Sequence, residues 1–173
     1  MPRGLLDLKP LQIMVVDDNR PTRTLIQRVL TSLGTGKVVE ADNAQHAMGL
    51  IRMDLPDIIL VDYRMDGIDG VKFVRELRTA EGAPNPYIPI IMVTANGDRP
   101  AVEAARDAGV NEFVAKPISV SLLANRLAAV IEKARPFVKT PDYFGPDRRR
   151  RKARDPEAPQ RRADDPTNMA LID

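Results

Sequence analysis

The chain has 173 residues, enough for about one domain, and its 43% hydrophobic and 29% charged residues exclude disorder throughout. It contains no cysteine, which excludes a disulfide framework, a thiolate zinc site and a thiol nucleophile, and its only histidine, His46, excludes a His-rich metal site. The apolar runs fall far short of the roughly 20 residues that cross a bilayer. Since the first residues also lack the pattern of a signal peptide, we expect a cytoplasmic protein without a membrane span.

Strand and helix patterns alternate along residues 12–134: the strands are short apolar runs, and the helices carry apolar residues three and four positions apart. In chain order, the predicted elements are strand Gln12–Val16, helix Pro21–Leu33, strand Val38–Ala41, helix Ala44–Met53, strand Asp57–Asp62, helix Gly70–Thr79, strand Ile88–Thr94, helix Pro100–Ala108, strand Glu112–Ala115 and helix Ser119–Ala134. This alternation predicts an α/β fold with a doubly wound, five-stranded parallel sheet in the flavodoxin-like order 2-1-3-4-5. Ala80–Tyr87 is expected to be a solvated loop.

The charge is unevenly distributed. Residues 1–136 hold 17 Lys+Arg and 17 Asp+Glu, whereas residues 137–173 hold 9 and 7, so the net charge of +2 lies in the last part of the chain. Prolines recur there and large aliphatic residues are absent until Met169, so this part cannot bury enough apolar area to offset its ordering entropy. We therefore expect one folded domain over residues 1–136 and a basic extension over residues 137–173 that is disordered when free.

Polar residues follow four of the predicted strands at the carboxyl edge of the sheet, where ligands of such folds bind. They are Asp17, Asp18, Asp62, Thr94 and Lys116. Clustered carboxylates raise one another's pKa or require a cation, and an all-oxygen site suits Mg²⁺. A hydroxyl and a single ammonium group beside them could stabilise a phosphoryl group attached to a carboxylate. A lone strand-end aspartate is usually a cap or turn residue, but five such residues at the right strand ends favour a site.

With these residues in place, the segment from Gln12 to about Arg135 resembles the receiver domain of response regulators, the CheY-like family. The resemblance implies that Asp62 accepts a phosphoryl group from a sensor kinase histidine. It implies that Asp18, Asp62 and the backbone carbonyl of Arg64 bind Mg²⁺, with Asp17 acting largely through a metal-bound water. It also implies a cis peptide bond between Lys116 and Pro117.

The resemblance places Phe113 at the position of a rotameric switch, on a signalling face formed by the fourth helix, the fifth strand and the fifth helix. One departure from the family concerns the residues that follow the phosphorylated aspartate. Receivers usually have Met-Pro there, and this chain has Met65-Asp66. A further carboxylate therefore stands beside the loop, and it is expected to alter phosphorylation or metal affinity.

The extension combines arginines with acids, which a pure phosphate binder would avoid. Arginine can donate to O6 and N7 of guanine and stack on the base, and a carboxylate can accept from the base's N1 and N2 donors. This mixture suits a ligand with two guanines and two phosphates, namely cyclic di-GMP. The candidate residues are Tyr143, Asp147, Arg148, Arg149, Arg150, Arg151, Arg161 and Arg162.

The extension also resembles that of the Cle proteins, CheY-like cyclic di-GMP effectors, in its aromatic-Gly-Pro-Asp-Arg-Arg stretch. That resemblance implies a tail that folds around cyclic di-GMP and a bound protein that goes to the flagellar motor switch at the pole. We expect no enzyme beyond the receiver's own phosphoryl chemistry, and no sequence-specific DNA binding. The alternative is a phosphorylation-driven single-domain regulator whose basic tail binds a protein, nucleic acid or a membrane. A dehalogenase-like aspartyl-phosphate enzyme is disfavoured, because Arg64 stands where that class has a second Asp.

Overall fold

The computed structural model describes residues 6–95 and 99–149. In chain order, the elements are β1 (Gln12–Val16), α1 (Arg20–Ser32), β2 (Lys37–Ala41), α2 (Ala44–Met53), β3 (Ile58–Asp62), α3 (Gly70–Thr79), β4 (Ile90–Thr94), α4 (Arg99–Ala108), β5 (Glu112–Ala115), α5 (Val120–Glu132), β6 (Phe137–Thr140) and β7 (Tyr143–Pro146). The first ten are those predicted, with ends that differ by at most two residues. None of the described helices has the length and hydropathy of a membrane span.

The first five strands form one parallel sheet in the order β2-β1-β3-β4-β5, which confirms the predicted topology. Every residue of β3 and β4 is buried, because helices cover both faces of the sheet. Alternate strand residues enter two separate cores. Met14, Ile59 and Met92 pack with residues of α2, α3 and α4, whereas Val15 and Leu60 pack with residues of α1 and α5. Each such side chain contributes about 1.5–3 kcal/mol of burial free energy.

Side-chain caps fix where four of the helices begin. Asn19, Asn43, Asp69 and Ser119 each accept a hydrogen bond from the backbone N–H three residues further along the chain. Such a cap satisfies one of the unpaired donors of the first helical turn. Because these caps stand at or near the ends of loops that leave the carboxyl edge of the sheet, they also set the shape of that edge.

The start of the extension is ordered, which differs from the expectation that residues after 136 are disordered. β6 and β7 pair as an antiparallel hairpin around Pro141 and Asp142, and the hairpin packs against α3 and α4. The rings of Phe137 and Phe144 meet that of Tyr87, with centroids 5.3 Å from it and 5.7 Å from each other. Tyr87, expected in a solvated loop, thus packs its ring against the hairpin although the residue stays largely exposed.

A buried guanidinium anchors this hairpin. Arg78 of α3 is 3% exposed and lies with its guanidinium carbon 4.9 Å from the centre of the Phe137 ring. It donates hydrogen bonds to the carbonyls of Gly109 (3.1 Å) and Pro86 (2.6 Å) and to Oδ1 of Asn111 (3.0 Å). Burial lowers the pKa of Arg78 to about 10, so the group still carries its charge at pH 7.

The hairpin and the end of α4 approach each other through two glycines. Gly109 has φ +103°, and a Cβ there would lie 2.9 Å from the carbonyl oxygen of Phe144. A Cβ on Gly145 would lie 2.8 Å from the Cα of Gly109. The backbones can meet at this distance only without side chains. Order therefore continues through residue 149, because aromatic burial, Arg78 and this close approach together hold the hairpin. Residues 150–173 lie outside the described residues.

Candidate functional site

Three carboxylates meet at the carboxyl edge of the sheet. Asp17 and Asp18 follow β1 and Asp62 ends β3, and each offers an oxygen within 4.8 Å of the others. The pairing of β1 with β3 brings these strand ends side by side. The structure thus brings together the predicted acidic cluster, in a cleft of about 450 Å³ whose lining also includes Arg64, Ala95 and Lys116.

Lys116 neutralises part of this acidic charge. Its Nζ lies 2.9 Å from Oδ1 of Asp62 and 3.7 Å from Oδ2 of Asp17. The backbone N–H of Lys116 donates to the carbonyl of Thr94, which ties β5 to the end of β4. The Lys116–Pro117 peptide bond is cis, as the resemblance implies. The Lys116 ammonium therefore lies against the carboxylate of Asp62 within the acidic cluster.

Asp17 is the buried member of the cluster, with 1% of its surface exposed. Its Oδ1 accepts the Asn19 N–H at 2.8 Å, whereas its Oδ2 has no hydrogen-bond partner. Burial raises the pKa of Asp17, the Asn19 hydrogen bond opposes that shift, and the neighbouring charge of Asp62 adds to it. A buried carboxylate oxygen without a hydrogen bond is costly, the Lys116 ammonium 3.7 Å away offsets only part of that cost, and a bound cation would remove more of it. The donor set, all oxygen and partly open to water, fits Mg²⁺.

Asp18 is exposed and is held from the loop that follows β3. The backbone N–H of Asp66 donates to its Oδ2 at 2.8 Å. Asp66 is the residue that replaces the usual proline of receivers, and proline has no N–H to donate. The sequence directed attention to the extra carboxylate of Asp66. In the structure, it is the backbone N–H of Asp66 that contacts Asp18.

Gly70 lets α3 begin directly beside Asp62. A Cβ at this position would overlap the carbonyl oxygen of Asp62, so only glycine permits this approach of loop and strand. The Gly70 N–H donates to the carbonyl of Tyr63 at 3.1 Å and closes the loop. Arg64, in that loop, is exposed and lines the cleft.

The other predicted receiver residues lie on neighbouring strands. Thr94 is buried at the end of β4, which pairs with the strand of Asp62. Phe113 lies on β5 opposite Met92 and is half-buried against the core formed with α2, α3 and α4. Sequence reasoning missed Arg23, whose Nη1 donates to the Asp17 carbonyl at 2.7 Å. Arg23 lies about one turn into α1, four residues after the Asn19 cap. This spacing, which directs a side chain back toward the end of β1, is the sequence signal that could have identified it.

Residues 13–128 match the family model described as response regulator receiver domain. The chemotaxis protein CheY of Pseudomonas aeruginosa is 30% identical over 123 residues, which are 71% of this chain and 98% of that relative. The chain belongs to the response regulator receiver family. Receiver domains interact with sensor histidine kinases and bind Mg²⁺ at an acidic site. The hairpin of β6 and β7 follows the residues that the receiver model matches.

Two solved structures illustrate the likeness of this receiver. A putative response regulator from Chloroflexus aurantiacus has a TM-score of 0.66 and 31% identity, and the match covers 72% of this chain and 99% of that one. The receiver domain of a sensor histidine kinase from Pseudomonas aeruginosa, with a magnesium ion coordinated in its active-site cleft, has a TM-score of 0.61 and 32% identity. That second match covers 68% of this chain and 94% of the other.

The described candidate nucleotide residues of the extension, Tyr143 and Asp147 to Arg149, lie at the opposite edge of the sheet. The hairpin contacts the segment that enters β4, the segment that enters β5 and the end of α3, where Arg78 joins Pro86, Gly109 and Asn111. The ring of Tyr143 is buried, and its hydroxyl donates to the carbonyl of Pro146 at 2.7 Å. Asp147, Arg148 and Arg149 follow directly on β7, and Arg150, Arg151, Arg161 and Arg162 lie outside the described residues.

Proposed function

We propose that this protein is a phosphorylation-controlled signalling protein whose phosphoacceptor is Asp62. The observation that supports this most directly is the contact of Lys116 Nζ with Asp62 Oδ1, made within a cluster of three carboxylates. A structural salt bridge needs one acid beside the lysine, and the two further acids add repulsion that a purely structural site would avoid. Asp17, Asp18, Asp62 and the backbone carbonyl of Arg64 would hold Mg²⁺.

In the proposed reaction, a carboxylate oxygen of Asp62 attacks the phosphorus of a phosphohistidine on a sensor kinase. The new O–P bond forms as the P–N bond breaks. The electron pair of the P–N bond stays on the imidazole nitrogen, which takes a proton from water. Lys116 balances charge on the transferred oxygens, and the Thr94 hydroxyl donates to one of them. The chemistry that a bound Mg²⁺ would supply at the acidic cluster is neutralisation of negative charge on the phosphoryl oxygens. As Thr94 moves toward the phosphoryl group, Phe113 changes rotamer and alters the face of α4, β5 and α5.

Acetyl phosphate with Mg²⁺ tests this assignment without a cognate kinase. We expect intact-mass spectrometry to show one hydroxylamine-sensitive phosphoryl group on the wild-type chain and none on Asp62→Asn. Asp66→Asn is the matched control, because it removes the same charge from the loop that follows β3 and leaves the acceptor. If Asp62→Asn is labelled as fully as Asp66→Asn, then the acceptor is another residue.

The extension would add a second input, the binding of cyclic di-GMP. Its described part places Asp147, Arg148 and Arg149 in succession on the end of a docked hairpin, which supplies guanidinium groups and one carboxylate at a fixed place. Arginine pairs the Hoogsteen edge of guanine and its phosphates, and the carboxylate selects guanine over adenine. Arg150, Arg151, Arg161 and Arg162 would close around the ligand. Tyr143 would act through Arg148, since its own ring is buried.

Isothermal titration of the full chain with cyclic di-GMP, cyclic di-AMP, GTP and a short DNA duplex tests this second input. We expect binding of cyclic di-GMP alone and a loss of tenfold or more in Arg149→Ala, about 1.4 kcal/mol. Arg106→Ala, which removes an exposed arginine of α4, is the matched control and should bind normally. Binding of the duplex instead would favour the alternative, a basic tail for nucleic acid, and binding of anionic vesicles would favour a membrane tail.

The partners of this receiver would be a sensor histidine kinase upstream and a flagellar motor switch protein downstream. Its similarity to chemotaxis proteins supports the second of these partners. A cytoplasmic protein recruited to the flagellar pole when nucleotide is bound would follow from that pairing. Fluorescence microscopy of the tagged chain, with Arg149→Ala as the comparison, would show polar foci that depend on the arginine.

A further inference from the structure

Arg148, the first arginine of the extension, is held on two sides. Its Nη1 donates to Oδ1 of Asp107 on α4 at 2.6 Å, and its guanidinium carbon lies 4.0 Å from the centre of the Tyr143 ring. One edge and one face of the guanidinium plane are therefore engaged. The Arg148 side chain nevertheless keeps 41% of its surface exposed.

The guanidinium plane retains donors for a ligand. A guanidinium has five N–H groups in a planar fork, and only one of its nitrogens, Nη1, donates to Asp107. In the described ranges 6–95 and 99–149, the side chain of Arg148 makes no other recorded hydrogen bond. The Nε and Nη2 donors form an edge that can meet two acceptors, and the face opposite Tyr143 can receive a planar base. A ligand can thus bind without breaking the Asp107 contact.

The backbone that carries Arg148 is fixed as well. The Asp147 N–H donates to the carbonyl of Pro136 at 2.8 Å, and the Asp147 carbonyl accepts from Arg135 Nη1 at 3.2 Å. The Asp147 carboxylate in turn accepts the Arg149 N–H at 2.9 Å. Main chain and guanidinium are both set before any ligand arrives, which an arginine in a free tail would not be.

We propose that Asp107 is a positioning residue for a guanine nucleotide site, because it holds the Arg148 guanidinium on Tyr143 with one edge and one face open to the ligand. This inference rests on the proposed binding of cyclic di-GMP. Ordering a long side chain on binding costs an amount equal to about a three- to tenfold loss of affinity. Asp107 and Tyr143 already order the Arg148 side chain in the folded protein, so ligand binding does not have to order it.

A second effect of Asp107 has the opposite sign. Its negative charge repels the phosphates of the nucleotide, so its removal would strengthen binding if charge alone mattered. Asp142, in the turn of the hairpin, is an exposed acid near the same surface, and no pairing of it with Arg148 is recorded in the described part of the chain. Asp142→Asn therefore measures the effect of charge without the effect of positioning.

The experiment titrates cyclic di-GMP into the full-length wild type, Asp107→Asn, Asp142→Asn, Arg148→Lys and the double variant Asp107→Asn/Arg148→Lys. We expect Asp107→Asn to weaken binding about three- to tenfold, and Asp142→Asn to leave it unchanged or slightly tighter. In the Arg148→Lys background, which lacks the planar fork, Asp107→Asn should change affinity by less than twofold. Urea unfolding midpoints of Asp107→Asn and Asp142→Asn should agree, which separates positioning from loss of structure.

Affinity of Asp107→Asn equal to or tighter than that of Asp142→Asn would overturn the inference and leave the proposed nucleotide binding intact. An equal loss from Asp107→Asn in both Arg148 backgrounds would overturn it too, since Asp107 would then act elsewhere. If the wild type binds no cyclic di-GMP, the proposed second input fails, and the positioning role fails with it.

Discussion

Replacement of Arg78 by methionine should destabilise the protein by about 2–4 kcal/mol. The change leaves the buried Gly109 carbonyl without its donor, at about 1–3 kcal/mol, and removes the hydrogen bond to the partly buried Pro86 carbonyl, which costs less because water can reach it. Oδ1 of Asn111 loses Arg78 but keeps the Ile90 N–H at 2.9 Å, so it adds little. Relief from burying a charge offsets part of the cost, and methionine retains most of the apolar contact with Phe137.

Equilibrium urea unfolding of the full chain, followed by circular dichroism, measures this loss. Arg75→Met is the matched control, because Arg75 is an exposed arginine one turn earlier on α3. It should change the free energy of unfolding by less than about 0.5 kcal/mol. The lost bonds hold Pro86 and Gly109, whose neighbours Tyr87 and Gly145 form the packing surface of the hairpin. Trypsin should therefore cleave after Lys139 of β6 faster in Arg78→Met than in Arg75→Met.

Equal unfolding midpoints for Arg78→Met and Arg75→Met would refute this reasoning. So would a loss of stability without faster cleavage at Lys139, because Arg78 would then support α3 and not the hairpin. A chain that ends after Arg135 should be less stable than one that ends after Arg149, since it lacks Phe137, Tyr143 and Phe144.

Three further outcomes follow from the site and the hairpin. Burial raises the pKa of Tyr143 above its usual value of 10.0, so ultraviolet titration should show a tyrosine that ionises above that pH, and Tyr143→Phe should remove this step. Because the folded state keeps the Tyr143 proton to higher pH than the unfolded state does, the contribution of Tyr143 to the free energy of unfolding falls as pH rises through and above about 10. Burial also raises the pKa of Asp17, so Asp17→Asn should raise the metal-free melting temperature at pH 7 and reduce the gain from Mg²⁺. Asp66→Pro, which removes the N–H that holds Asp18, should weaken Mg²⁺ binding about tenfold relative to Asp66→Ala, and equal affinities would contradict this role.

Most of the fold follows from pattern alone. Apolar runs such as Ile58–Asp62 and the three- and four-residue spacing in Gly70–Thr79 gave the elements, and the chirality of parallel crossovers restricted their order. The site was predictable because strand ends in a parallel sheet share one edge. Asp17, Asp18, Asp62 and Lys116 needed only to be placed on strand ends to be brought together. The hydrogen bond from the Asp66 backbone N–H to Asp18 could not be predicted from the residue type, because every residue except proline has such a donor.

The hairpin was missed although its signals are in the sequence. Phe137-Val138 and Tyr143-Phe144 flank Pro141-Asp142, which is a short strand-turn-strand pattern. The high proline count and scattered charge of residues 137–173 favoured disorder, because the composition of the whole extension hides a local pattern of ten residues. Arg78 was missed for a related reason. It continues the apolar stripe of Val71 and Val74 on α3, and a charge on that stripe indicates a buried partner that comes from elsewhere in the chain.

The acidic cleft and the hairpin lie at opposite edges of the sheet, which limits how the two proposed inputs can affect each other. β4 runs between them, with Ile90 bonded to Asn111 at one end and Thr94 buried at the other. Five strand residues separate these edges by roughly 16 Å, so a ligand on Arg148 cannot touch a phosphoryl group on Asp62. In the described part of the chain, β4, β5 and α4 connect the two edges and could carry coupling between them. α4 is the direct path, because Asp107 near its end is the residue that holds Arg148.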